Sequence, residues 1–181
     1  MIKKALFFFL VLTNSIVFQA QEKEAEKIEL GKFKRLYKIS EDVYRSEQPS
    51  KKGFKELEAM GIQSILNLRR RVDDNRKAKG RDFKLFHIRI KTKELTEDQL
   101  IDILKTLQKA EKPVLVHCWH GSDRTGITIA AYRIVFENWS KEAAIAEFRK
   151  PEFGYHENWY PNLLDLLNNL DVDKVRKELG F

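Results

Sequence analysis

The chain has 181 residues, room for one domain with a full core and too little for two. Its 34 Lys and Arg against 27 Asp and Glu leave a formal net charge of +7, which favours anionic partners; no basic-aromatic interleaving or recognised binding motif points to nucleic acid. A single cysteine excludes an intramolecular disulfide and a resolving thiol.

In chain order, Lys3 and Lys4 precede an apolar run from Ala5 to Phe18, broken only by Thr13, Asn14 and Ser15. That is the make-up of a secretory leader, and it is short of the roughly 20 residues of a bilayer span. Residues 1–20 are therefore expected to be a signal peptide cut after Ala20, or an uncleaved membrane anchor, in a protein exported to the periplasm or beyond. No cysteine stands at that junction, so lipoprotein processing is not expected. Residues 21–32 read as a charged linker, and residues 33–181 as one folded domain.

Phe33 to Ile39 and Val43 to Ser46 predict a hairpin, and Ser50 caps a helix reaching Met60 that Gly61 ends. Ile62 to Leu68 and Phe83 to Ile90 read as strands, parted by the charged stretch Val72 to Arg81. The first strand runs into Arg69-Arg70-Arg71, which the parallel arrangement would carry to the same crevice as the loop that follows Val116. The loop Arg89-Ile90-Lys91-Thr92-Lys93-Glu94-Leu95 precedes a helix opened by Thr96 and Gln99 as a capping box, with Leu100, Ile103, Leu104 and Leu107 on one face. Pro113 to Val116 reads as a short buried strand and Ile127 to Arg133 as a helix, so the residues between form a strand-to-helix loop. Further helices are expected over Ser140 to Arg149, stopped at Pro151, and near Tyr160 to Leu170 and Val172 to Leu179. The whole predicts an α/β fold: a central, mostly parallel sheet flanked by helices, with a helical C-terminal part. Trp119, Trp139 and Trp159 are expected in the core or at its rim.

The loop His117-Cys118-Trp119-His120-Gly121-Ser122-Asp123-Arg124-Thr125-Gly126 carries the chemistry. A short loop ending on a helix aims backbone N–H groups at one centre, and the helix dipole adds positive charge there. Trp119, His120, Gly121, Ser122, Asp123 and Arg124 would thus form a cradle for a tetrahedral oxyanion, with the planar Arg124 fork gripping two oxygens. The same field favours the thiolate of Cys118, the nucleophile at its floor. Thr125 can donate its hydroxyl to the sulfur as it later departs. His117 reads as a structural support and not as a base, and Asp123 is expected to turn its carboxylate away, toward a neighbouring base. A metal site from His117, Cys118 and His120 lacks a second ligand pair, and a sulfurtransferase loop would not pair its cysteine with this Arg-Thr-Gly helix start.

HCWHGSDRTG resembles the HCxxGxxRT/S signature of the cysteine-based protein tyrosine and dual-specificity phosphatases. The likeness runs from Val43 to the C-terminus: Val43 to Pro49, Gly61 to Arg69, Trp139 to Ala143 and Phe153 to His156 are similar to exported bacterial dual-specificity phosphatases. The resemblance implies a dual-specificity phosphatase-like fold and hydrolysis of phosphomonoesters through a phosphocysteine, with no metal and no cofactor. Its implied substrates are phosphotyrosine, phosphoserine or phosphothreonine in protein, or else small phosphomonoesters. Inositol phosphates or phosphoinositides are the alternative, and a phosphate-binding module with weak catalysis is the third reading. The family places an acidic Asp on the loop before the capped helix, where this chain has none. Glu94 is the first candidate for the acid, Asp98 in the first helical turn the second, and no dedicated acid the third. Arg69 is either a substrate-binding residue or part of a solvated loop.

Overall fold

The computed structural model describes residues 23–181, so the leader or anchor expected over residues 1–20 lies outside the described residues. Six strands, β1 (Glu26–Lys27), β2 (Tyr37–Lys38), β3 (Val43–Ser46), β4 (Ser64–Asn67), β5 (Lys84–His87) and β6 (Val114–His117), form one sheet in the order β1-β2-β3-β6-β4-β5. The first three pair antiparallel, and β3, β6, β4 and β5 pair parallel. The helices are α1 (Lys51–Ala59), α2 (Glu97–Lys109), α3 (Asp123–Phe136), α4 (Lys141–Phe148), α5 (Asn162–Asn168) and α6 (Val172–Leu179). The mostly parallel α/β architecture is the one the sequence predicts, with differences at particular ends.

The strands are shorter than their apolar runs. Ile62 and Leu68 are buried, but the Ile62 N–H bonds the Leu57 carbonyl and the Leu68 N–H bonds the His117 carbonyl, outside the paired ladder. Hydrophobic runs report burial, and burial outlasts pairing. Conversely, Glu26–Lys27, part of the stretch read as a charged linker, add an edge strand to β2. The capping box of α2 forms as expected: the Thr96 hydroxyl accepts from the Gln99 N–H and the Gln99 side chain accepts from the Thr96 N–H.

Both sheet faces are covered, so the central strands are buried throughout. Phe54 and Leu57 of α1 pack with Ile65 and Leu115 on one face. On the other, Leu66, Val114 and Val116 meet α2 and α3, with α4, α5 and α6 outside them. Helix α3 is therefore buried nearly all round, which explains its lack of amphipathic pattern. Its Gly126 is required by packing, because a Cβ there would stand 2.2 Å from the Phe148 ring of α4. Arg133 of α3, also buried, is held by Glu147 at 2.8 and 3.1 Å and stacks on Trp139. Trp139 is the one of the three tryptophans that is buried; Trp119 and Trp159, 52% and 66% exposed, take the rim placement of the core-or-rim expectation.

Candidate active site

The four parallel strands finish together, Ser46 and Asn67 both in register with His117, and Asn67 with His87. The residues that follow them, Glu47-Gln48, Cys118 and Leu68-Arg69, thus emerge side by side at the carboxyl edge of the sheet, where open α/β sheets bind ligands. From β6 the chain makes one tight loop and enters α3 at Asp123, four residues earlier than the sequence suggested. Ser122 takes the N-cap position without making a side-chain cap, so the first-turn N–H groups keep their capacity for an anion.

The loop carbonyls show which way the peptides face. His117 Nδ1 lies 3.1 Å from the Cys118 oxygen, and the Gln48 N–H donates to Trp119 at 3.1 Å. Arg35 Nη1 donates to His120 at 3.5 Å and Arg45 Nη2 to Gly121 at 2.8 Å. Four consecutive carbonyls are bound from outside the loop. In a trans peptide the N–H points opposite to the C=O, so the N–H groups of Trp119, His120, Gly121 and Ser122 turn inward. Gly121 has φ +72°, and a Cβ there would meet the Ser46 and Glu47 backbone at 2.6 Å.

Cys118 is buried at 2% exposure on the floor. Around it, Ser122 Oγ, Thr125 Oγ1 and Arg124 Nε are buried donors without a partner, while Arg124 Nη1 donates to the Leu68 carbonyl at 3.1 Å. Unspent buried donors are costly, and three on one ten-residue stretch suit an oxyanion seated among them.

Beneath the loop runs a chain of hydrogen bonds. Arg69 Nη1 donates to Gln48 Oε1 at 2.7 Å, and Gln48 Nε2 donates to Asp74 Oδ1 at 2.9 Å. The other Asp74 oxygen stands 2.7 Å from His117 Nε2, whose Nδ1 faces the Cys118 carbonyl. Both His117 nitrogens thus face oxygens, one of the Asp74 carboxylate and one of the Cys118 carbonyl. Burial pushes Asp74 up, but the hydrogen bonds from His117 and Gln48 outweigh it and hold the carboxyl below its usual range. His117 stands against the Cys118 carbonyl and is 0% exposed, beyond reach of a substrate.

The rim is aromatic on one side and basic on the other. The Arg69 guanidinium stacks 4.3 Å over the Trp119 ring. Partial burial pulls its pKa down, and the Arg124 cation adds to that. Asp123 is 8% exposed and accepts from the His156 N–H at 2.9 Å, with His156 Nδ1 at 3.0 and 3.1 Å. That carboxylate is spent on His156, so what Asp123 offers the cradle is its N–H. His156 stacks on Trp159 at 5.2 Å, and its ring lies 5.8 Å from His120. Burial, with His156 nearby, lowers the pKa of His120.

Opposite lies a cleft of ≈ 340 Å³ lined by Arg70, Ile90, Lys91, Thr92, Lys93, Glu94, Arg124 and Tyr160. Glu94 ends a 3-10 turn, is largely exposed, and pairs with Lys91 at 2.8 Å. It shares this cleft with Arg124. Asp98 does not line it: its exposed carboxylate faces Lys174 of α6 at 3.8 Å. Sequence reasoning missed Asp74, which nothing distinguishes from Asp73 in a charged stretch, and Arg45 and Gln48. For Arg45 a signal existed, a charged residue inside a strand, two positions after Val43 and so on the same face. Among the described residues no helix is long and apolar enough to cross a membrane.

Sheet order, helix placement and anion cradle together define a dual-specificity phosphatase-like α/β domain. Residues 31–173 match the tyrosine phosphatase family, and the chain belongs to that family. It is 31% identical over 144 residues to the dual specificity protein phosphatase TpbA of Pseudomonas aeruginosa, a match covering 78% of this chain and 65% of that protein. It therefore spans just under two thirds of that relative. The solved structure of a Cys-to-Ser variant of P. aeruginosa TpbA with pTyr is similar at a TM-score of 0.77 and 26% identity, over 87% of this chain and 96% of that one. Inositol diphosphatase DSP5 of Arabidopsis thaliana is 31% identical over 127 residues, covering 62% of this chain and 59% of that protein.

Proposed function

We propose that the protein hydrolyses phosphomonoesters through a phosphocysteine, with phosphotyrosine and other phosphorylated residues of proteins as substrates. The observation that carries this is the loop of four outward-bound carbonyls around a buried cysteine. Its inward N–H groups and Arg124 supply the positive field that a dianionic phosphoryl group and its transition state need. The Cys118 sulfur attacks phosphorus as the ester oxygen leaves with the bonding pair and takes a proton. Water then attacks the phosphocysteine, losing a proton as the sulfur departs, and Thr125 can donate to that sulfur. The relative named a dual specificity phosphatase, and its solved structure with pTyr, support the protein substrate. Arg70, Lys91 and Lys93 in the cleft favour a second reading, an inositol phosphate or diphosphate, as does the relative named an inositol diphosphatase. Turnover of phosphotyrosine peptides and inositol phosphates, compared at equal concentration, separates the two. Phosphate binding with no turnover of either would leave only a binding module.

Glu94 is proposed as the acid, since it shares the cleft with Arg124. Glu94→Gln is expected to slow hydrolysis of an alkyl phosphate by about 10²-fold and to spare p-nitrophenyl phosphate, whose leaving group needs no proton. An equal effect on both esters, or none on either, would remove Glu94 and leave water as the proton source.

Export is proposed from the leader alone. N-terminal sequencing of the extracytoplasmic protein should begin at Gln21; recovery of the uncut chain in the membrane fraction would make residues 1–20 an anchor, and recovery in the cytosol would end the proposal.

A further inference from the structure

Arg45 sits on β3 in register with Val116 of β6 and is 1% exposed. A buried guanidinium ordinarily has a carboxylate partner, because burying an unpaired ion costs several kcal/mol. Arg133 shows the ordinary solution, gripped by Glu147 and Glu137. Arg45 makes no ion pair among the described residues. It spends one donor on the Gly121 carbonyl at 2.8 Å, lies 4.2 Å over the Phe153 ring, and keeps Nε buried without an acceptor. Burial lowers its pKa to about 10, with the Glu147 carboxylate and the Cys118 sulfur pulling the other way. It is therefore a cation at neutral pH. The groups facing it are Tyr37 of β2, Arg35, Glu147 of α4 and Cys118. Those facing the sulfur include Arg69 as well.

We propose that Arg45 is a positioning residue of the cradle: it fixes the Gly121 peptide so that the Ser122 N–H faces the anion. One feature makes this more than packing: the carbonyl it binds belongs to the one residue of the loop with positive φ, whose neighbours leave no room for a Cβ.

The inference rests on the phosphatase reading, and the experiment separates the two. Arg45→Met is expected to weaken binding of inorganic phosphate by about tenfold, on the order of one charge-assisted hydrogen bond. Arg45→Lys keeps a donor for the Gly121 carbonyl and loses the planar fork, so its phosphate affinity should fall between those of the parent protein and Arg45→Met. A residue that only supported the fold would lower the melting temperature in both variants and leave phosphate affinity unchanged. That result overturns the proposal, and Arg45→Lys alone decides it if Arg45→Met does not fold. An unsubstituted chain that neither hydrolyses an aryl phosphate nor binds phosphate would instead overturn the phosphatase reading.

Discussion

Replacing Cys118 by Ser is expected to abolish turnover, lowering it by at least about 10⁴-fold, while phosphate and phosphotyrosine still bind. The two halves of this expectation come from different atoms. Turnover needs a nucleophile that is anionic at neutral pH, and no arrangement of inward N–H groups can bring a serine hydroxyl into that range as it can a thiol. Binding needs the donors of Trp119 to Ser122, set by carbonyls that Gln48, Arg35 and Arg45 hold from outside, together with the Arg124 side chain. None of these touches the sulfur through a bond that serine would break. Serine is no larger than cysteine and leaves these donors in place, so phosphotyrosine affinity should be retained. Calorimetric titration with a phosphotyrosine peptide, beside the aryl phosphate assay, checks both halves. Residual turnover within tenfold of the parent would place the nucleophile elsewhere, and lost binding in a folded variant would mean that the cradle depends on the sulfur.

The positions that carried the fold in the sequence are those where one local rule suffices. Thr96 and Gln99 form a capping box because three residues of helix put them within reach of each other. Ser50 caps α1 and Gly61 leaves it with φ +83° for similarly local reasons. The cradle was legible because all its anion-facing groups lie within one continuous stretch. Apart from the charge of Arg45 inside a strand, what supports it was not legible, since Arg45 and Gln48, at the end of β3, and Asp74, in the charged stretch after β4, act through partners 26 to 76 residues away. The acid is obscure for a further reason. Its position depends on the course of the 3-10 turn Thr92–Glu94, where an exposed carboxylate beside Lys91 looks the same whether it serves catalysis or solvation.

Asp74→Asn is the substitution through which this hidden support should show itself most strongly. Asp74 is 3% exposed, and its two oxygens take donors from opposite sides, Gln48 Nε2 at 2.9 Å and His117 Nε2 at 2.7 Å. The chain has a fixed polarity: Arg69 donates to Gln48, so the Gln48 amide must donate onward, and His117 Nδ1 donates to the Cys118 carbonyl. Asp74 is the acceptor-only junction where both arms end. Asparagine has one acceptor and one donor group, so its oxygen can serve only one arm: kept on Gln48, it turns the amide N–H toward His117 Nε2, which then has to accept while Nδ1 donates to the Cys118 carbonyl. Exchanging charge-assisted buried hydrogen bonds for neutral ones costs about 1–2 kcal/mol, and denaturant unfolding should register a loss of that order. The pH dependence gives a second check. A carboxyl held below its unfolded value of roughly 3.9 adds stability that is fully present above that value and is lost as pH falls through the lower, folded one. The parent protein should therefore lose stability below about pH 4 partly through Asp74, and the stability gap to Asp74→Asn should narrow over that window. A variant as stable as the parent at neutral pH, or a gap that stays constant into acid, would show that the buried pair with His117 does not carry the loop.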